Sequence, residues 1–357
     1  MAKVTISNIG QAYGGNPDQE TWAVKPLDLT LESGRSYALV GPSGCGKTTI
    51  LNMLSGIVTP TQGQIFFDDK DVTALSVSKR NIAQVFQFPT IYKSMTVFDN
   101  LAFPLVCRNW EKEKIKVRVG QIAEQIGLSG KLDRSANKLG ADEKQIISLG
   151  RGLVRDDVTA LLMDEPLTVI DPQLKFDLRK KIKQIVQGKE ITIVYVTHDQ
   201  YEAMTFADEL LVMSFGRMIQ RGSPEDLFER PNSKYVGNFI GSPAMNFIRA
   251  EIVDGQLSLM GHKMKSGLKS KVSSGQLTEA GIRPEYVQVV NSAGENVLST
   301  NLLGFDDLGA TRILNCQFGD GVIKARVPRE FAIPARGEVL LKLPAEKLLS
   351  YQDGLLN

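Results

Sequence analysis

The chain has 357 residues, 42% of them hydrophobic and 23% charged, with 42 Lys+Arg against 40 Asp+Glu and a net charge of +2. That length accommodates two domains, because single cores rarely grow past about 250–300 residues, and the composition is that of an ordinary globular protein. The near balance of charge makes no case for nucleic acid or an anionic membrane surface, and no apolar run approaches the roughly 18–20 residues of a membrane span.

The first residues, Met1-Ala2-Lys3-Val4, lack the apolar core of a secretory leader. The cysteines (Cys45, Cys107 and Cys316) are odd in number and widely spaced, which suits reduced thiols in a cytosolic protein rather than a disulfide frame or a metal site. Any role at a membrane therefore requires a partner that holds the chain there. In chain order, Ser36–Val40 is expected as a strand ending in a Gly-rich turn, followed by a helix over Lys47–Ser55. Ile82–Gln87 is the next strand, and Glu111–Ile126 is charged, periodic and helical. Ala160–Met163, Ile191–Thr197 and Glu209–Met213 complete the strands of this part. Short continuous apolar runs alternating with helices argue for an α/β core with a parallel sheet buried on both faces. Beyond Pro243 the texture changes. Ser266, Gly267, Ser270, Ser273, Ser274 and Gly275 cluster, and short alternating runs appear at Val287–Val290, Arg312–Gln317 and Val322–Val327. These predict a small β-domain, OB-like, with the boundary near residues 241–246.

Gly41-Pro42-Ser43-Gly44-Cys45-Gly46-Lys47-Thr48 fits G-x-x-x-x-G-K-[ST], and it lies between an expected strand and an expected helix, with Thr49 following. The glycines let backbone N–H groups close around phosphate oxygens, and the helix start adds its positive dipole end. Lys47 is expected to bridge the β- and γ-phosphates of ATP, and Thr48 to ligate Mg²⁺. Ala160-Leu161-Leu162-Met163-Asp164-Glu165 is an apolar strand ending in two acids. Alone it reads as a strand capped by solvated carboxylates. Beside a phosphate loop, Asp164 becomes a Mg²⁺ ligand and Glu165 the group that polarises the attacking water. A lone histidine after a strand is usually structural, but His198 follows Ile191–Thr197 at the carboxyl end of a core strand, where such sheets bind ligands. His262 has no comparable context.

These motifs together resemble the nucleotide-binding subunits of ABC transporters over nearly the whole chain. The resemblance implies a P-loop ATPase core (a RecA-like parallel sheet plus a helical subdomain) over residues 1–242 and an accessory OB-like domain over 243–357. Gly281-Ile282-Arg283-Pro284-Glu285 is similar to the accessory domain of carbohydrate-uptake ATPases. By the same resemblance Tyr13 stacks on adenine, with Trp22 a weaker candidate because Gly14–Thr21 looks like an insertion. Gln87 senses Mg²⁺ and connects the site to a membrane subunit, whose coupling helix would lie near Phe88–Leu105. Asp171 crosses the dimer interface, and His198 is the switch histidine.

The family signature, Leu-Ser-Gly-Gly-Gln at a helix start, aligns with Leu139-Gly140-Ala141-Asp142-Glu143. The hydroxyl is gone and two carboxylates lie near an anion site, where each like-charge contact at about 4 Å could cost up to about 4 kcal/mol. The chain's own half-site is complete, whereas the half offered to a partner is altered. This favours a heterodimer with a second, different ATPase subunit, a homodimer being the alternative. The resemblance further implies two transmembrane permease subunits, an extracytoplasmic solute-binding protein, no nucleic acid, and a peripheral place at the cytoplasmic face of the inner membrane. The stretches Asn81–Leu105 and Pro243-Ala244-Met245-Asn246-Phe247 look closest to glycerol importers. A homodimeric ATPase for another carbohydrate and a regulatory binder with impaired turnover stay open. A repair or translation ATPase lacks support without coiled-coil insertions or a duplicated ATPase domain, and the β-rich tail speaks against an exporter subunit.

Overall fold

The computed structural model describes residues 3–14, 22–155, 157–188, 190–253, 256–265, 277–334 and 337–357. Most of the stretch Gly14–Thr21 and the Gly/Ser-rich run at 266–276 lie outside the described residues. The chain divides into two compact units, Met1–Pro224 and Glu225–Asn357.

In the first unit, β1 (Val4–Ala12) and β2 (Trp22–Leu31) pair antiparallel and precede β3 (Ser36–Val40) and α1 (Lys47–Ser55). Then come β4 (Gln62–Phe67), β5 (Lys70–Asp71), β6 (Ile82–Val85), α2 (Val97–Val106), α3 (Lys112–Ile126) and α4 (Ala141–Leu153). The unit continues through β7 (Ala160–Asp164), α5 (Pro172–Val186), β8 (Thr192–Thr197), α6 (Gln200–Phe206), β9 (Glu209–Ser214) and β10 (Arg217–Gly222). The strands form a four-stranded sheet ordered β2-β1-β4-β5 and a six-stranded sheet ordered β10-β9-β3-β8-β7-β6. Strands β9, β3, β8, β7 and β6 run parallel, and β10 closes the edge antiparallel.

The apolar runs are continuous because each of these strands is buried on both faces. In β7, Ala160 and Leu162 join the core that holds β1, β2 and α1, while Leu161 and Met163 join the core under α2–α5. In β8, Val194 and Val196 face the first core and Ile193 and Tyr195 the second. The register aligns the carboxyl ends: Val40 lies opposite Thr197, Val196 opposite Asp164, and Met163 opposite Val85. Every segment that leaves β3, β8, β7 or β6 therefore starts from the same edge.

The second unit is β-rich, with α7 (Pro224–Glu229) and α8 (Lys234–Phe239) leading into it. It contains a six-stranded and a five-stranded sheet, whose side chains share a core that includes Ile252, Leu257, Ile282, Leu298, Leu314 and Leu341. Arg283 is 1% exposed. Its guanidinium donates to the carbonyls of Phe228, Gly237 and Ile240, which satisfies chain ends at α7 and α8. The Gly281–Glu285 stretch thus has a structural task inside this unit.

Candidate ATP-hydrolysing site

The loop after β3 turns because two glycines permit it. Gly41 has φ 155°, and a Cβ there would sit 2.3 Å from the Met213 carbonyl oxygen. Gly46 has φ 107°, and a Cβ there would meet the Ala23 oxygen at 2.5 Å. Any other residue at either position would open the loop. Gly46 is the N-cap of α1 and offers no side-chain cap, so the first-turn N–H groups keep no side-chain acceptor at the cap. Pro42, Ser43 and Gly44 are exposed, while Cys45 is buried, its thiol pKa pushed up by burial. Lys47 is 6% exposed, and its Nζ donates to the Gly41 and Pro42 carbonyls at 2.8 and 2.9 Å. The ammonium is held in the bowl of its own loop, where a polyphosphate would displace weaker neutral acceptors with charged ones.

Opposite, Thr48 Oγ1 donates to Asp164 Oδ1 at 3.2 Å. Burial pushes the Asp164 carboxyl above the ordinary carboxylate range, and the neighbouring Glu165 adds to this, against the Thr48 hydrogen bond and Lys47. A desolvated acid paired with a threonine hydroxyl beside a phosphate loop suits Mg²⁺, a cation that takes oxygen ligands and phosphates. Glu165 sits just past β7 at φ 44°, held by its N–H to the Val196 carbonyl at 2.9 Å. A bulky residue in that region costs about 1–3 kcal/mol, and the conformation turns the carboxylate into the site. Three side chains converge on its Oε2: Gln87 Nε2 at 3.3 Å, His198 Nδ1 at 3.1 Å and Thr168 Oγ1 at 3.3 Å. Gln87 lies two residues past β6 and His198 one past β8, so the aligned strand ends bring them together. With its amide nitrogen on Glu165, Gln87 has its amide oxygen as the end able to ligate a metal.

The remaining expected residues lie outside this cluster. Tyr13 is 52% exposed just after β1, and Trp22 opens β2 opposite Ala12. Thr49 is half-buried on α1. Asp171 caps α5 by accepting the Gln173 N–H at 2.9 Å. At the altered signature, Gly140 is the N-cap of α4, and Ala141 is exposed at its first position. Glu143 folds back, accepting the Gly140 N–H at 3.0 Å and pairing with Lys131. The Lys131 hydrogen bond, helped by that of Gly140, holds the Glu143 carboxyl below its usual range. Asp142 is half-exposed, with no polar side-chain partner among the described residues. Of the two acids, only Asp142 is thus left without a side-chain partner among the described residues, its charge facing the N-terminal end of the helix dipole alone.

Two residues went unread in the sequence. Thr168 touches Glu165 from three positions downstream. Gln145, fully buried on α4, donates to the carbonyls of Phe86 and Pro166. A polar residue on the apolar face of a helical pattern was the available signal, but its partners are distant in sequence.

Comparison with known proteins adds a lineage. A family model described as ABC transporter matches residues 24–168, and one described as MalK OB fold domain matches residues 241–287. The sn-glycerol-3-phosphate import ATP-binding protein UgpC of Yersinia pestis bv. Antiqua (strain Antiqua) is 36% identical over 98% of this chain and 96% of that protein. Its namesake from Vibrio vulnificus (strain CMCP6) is 39% identical over 84% of this chain and 81% of that one. Among solved structures, cbiO1 from Clostridium perfringens, part of the ABC transporter complex cbiONQ, superposes with a TM-score of 0.58 at 26% identity, covering 64% of this chain and 90% of that one. A nucleotide-free ATP-binding cassette from an ABC transporter gives a TM-score of 0.54 at 25% identity, covering 62% and 92%.

Proposed function

This chain belongs to the ATP-binding subunits of ABC importers, ATPases that work with membrane permeases and a solute-binding protein, and from that premise we propose how its residues act. The loop N–H groups of residues 41–48 and Lys47 hold the β- and γ-phosphates of ATP, and Tyr13 stacks on the base. Thr48, Asp164 and Gln87 are the residues that would hold Mg²⁺, which would supply charge neutralisation on the phosphates. Glu165 takes a proton from the attacking water as its oxygen bonds to the γ-phosphorus and the bond to the β–γ bridging oxygen breaks, leaving ADP and phosphate. His198 and Gln87 fix the Glu165 carboxylate, and Thr168 steadies it from behind. The observation that carries this reading is the convergence of Gln87 and His198 on Glu165 Oε2.

A cavity of about 430 Å³ opens beside β6, lined by Phe86, Thr90, Tyr92, Pro104, Arg108 and Arg151 among others. Phe88, 68% exposed, lies in the same stretch of chain. This opening is the docking place of the permease's cytoplasmic segment, which puts the chain at the cytoplasmic face of the inner membrane. Transport follows from nucleotide closing a pair of ATPase subunits and hydrolysis reopening them. The Gly140 cap without a hydroxyl and Asp142 without a side-chain partner among the described residues support a heterodimer, since a homodimer would contain two such half-sites.

The solute is glycerol or its phosphate: the names of the relatives support sn-glycerol 3-phosphate, and the resemblance of Asn81–Leu105 and Pro243–Phe247 supports glycerol. Uptake of labelled sn-glycerol 3-phosphate and of glycerol, in cells with and without this chain, tests it. Loss of one uptake on deletion, restored by the wild type and not by Glu165→Gln, is expected. Unchanged uptake of both would overturn the solute assignment.

A further inference from the structure

We propose that Gln145 is the positioning residue that ties Gln87 and Glu165 to helix α4, so that a shift of α4 alters the water-activating pair. This rests on the roles given above to Gln87 and Glu165. Gln145 is 0% exposed and lies two residues past Glu143, on the helix that starts at the altered signature. Its Nε2 donates to the Phe86 carbonyl at 3.0 Å and to the Pro166 carbonyl at 2.8 Å. Phe86 immediately precedes Gln87, and Pro166 immediately follows Glu165. One planar amide thus uses both of its N–H groups to hold the two loops whose side chains meet at Glu165 Oε2. Neither carbonyl can follow its own loop without leaving a buried donor unpaired, which is costly.

Two further observations separate a positioning role from simple packing. Gln145 Oε1 is buried without a partner among the described residues. An unpartnered buried acceptor is unfavourable, so the amide is kept here for its two N–H donors to the Phe86 and Pro166 carbonyls and not for full satisfaction of its own polar atoms. The helix is also seated directly on β6: a Cβ added at Gly152 would lie 2.9 Å from Val85 Cγ2. Helix α4, the end of β6 and the loop after β7 are therefore coupled by close contact at one end of the helix and by hydrogen bonds at the other. A push on α4 from a partner subunit, or on the segment after Gln87 from a permease, reaches the same carboxylate.

Gln145→Met keeps length and volume and removes both donors. In the assembled transporter, its kcat for Mg-ATP should fall on the order of tenfold or more, with KM changed by less than about twofold. Combined with Gln87→Ala, the double variant should be no slower than the slower single variant within about twofold, because both act through one geometry. Losses that multiply, or a kcat that does not fall, would overturn the proposal. Should Gln145→Met fail to fold, Gln145→Asn, which keeps the amide on a shorter stem, runs through the same cycle with the same two outcomes. Turnover that survives Glu165→Gln would sink the assignment of the site itself, whereas multiplying losses beside an inactive Glu165→Gln would sink only the role of Gln145.

Discussion

Asp164 carries a tension that belongs to its single side chain. Burial raises its pKa, and Lys47 and the Thr48 hydroxyl only partly offset that. A group whose folded pKa lies above its unfolded one contributes stability that is fully present below the unfolded value. That contribution is lost as pH rises through the folded value. Ionising Asp164 in the nucleotide-free protein therefore costs stability, and the ionised form is the one in which a dication binds best. Asp164→Asn should keep the Thr48 bond, since an amide oxygen also accepts. The expected result is an apo Tm equal to or a few degrees above wild type, with the Mg²⁺-dependent part of the ATP-induced Tm shift lost. An apo Tm clearly below wild type, together with an intact Mg²⁺-dependent shift, would remove Asp164 from the metal site. The same tension explains the legibility of this site. Lys47, Asp164 and Glu165 announce themselves because phosphate and metal chemistry restricts residue type at fixed spacing. The pairing of Glu143 with Lys131 was invisible, because the two residues lie 12 apart and meet only through the fold.

Helix α4 shows the same contrast at the scale of an element. Gly150 and Gly152 are poor helix residues, yet each lets the helix approach a neighbour closely: a Cβ at 150 would meet Leu101 Cδ2 at 2.6 Å, and one at 152 would meet the branched Val85 at 2.9 Å. Helix α3 has Gly120, where an added Cβ meets nothing within 4 Å. Gly→Ala gains about 1 kcal/mol of helix propensity at either site. At position 120 that gain stands alone, so Gly120→Ala should stabilise by roughly 1 kcal/mol in a urea melt. At position 152 overpacking costs about 1–3 kcal/mol and wins, so Gly152→Ala should be net destabilising. Equal effects at the two positions would mean that α4 is not seated on β6. Other elements hid for related reasons. The buried core strands could be read because they are continuous apolar runs. Strand β1 escaped because register shifts between Ile6 and Ile9 and between Ile9 and Gln11 break its alternation. Strand β2 contains Pro26, a poor strand signal that an edge strand tolerates.

The asymmetry of the molecule as a whole turns on what it can offer a second copy of itself. Its own half-site brings Lys47, Thr48, Asp164, Gln87, Glu165 and His198 to one sheet edge. The half it would present across a dimer starts at Gly140, without a hydroxyl, and carries Asp142 without a compensating partner among the described residues. Two copies would place that acid at both nucleotides, and at about 4 Å with an effective dielectric near 20 each contact could cost up to about 4 kcal/mol. With slow turnover, Glu165→Gln isolates the closing step. In size-exclusion chromatography it should stay monomeric with ATP and Mg²⁺ when alone, and dimerise once a second ATPase subunit with a hydroxyl-bearing signature is added. Gly140→Ser combined with Asp142→Gly, in the same background, should dimerise by itself, because the helix start would again offer a hydroxyl and uncontested N–H groups to the γ-phosphate. A nucleotide-dependent dimer of Glu165→Gln alone would instead mean that Asp142 turns away from the phosphate as Glu143 does, and the homodimeric importer would then be the working state.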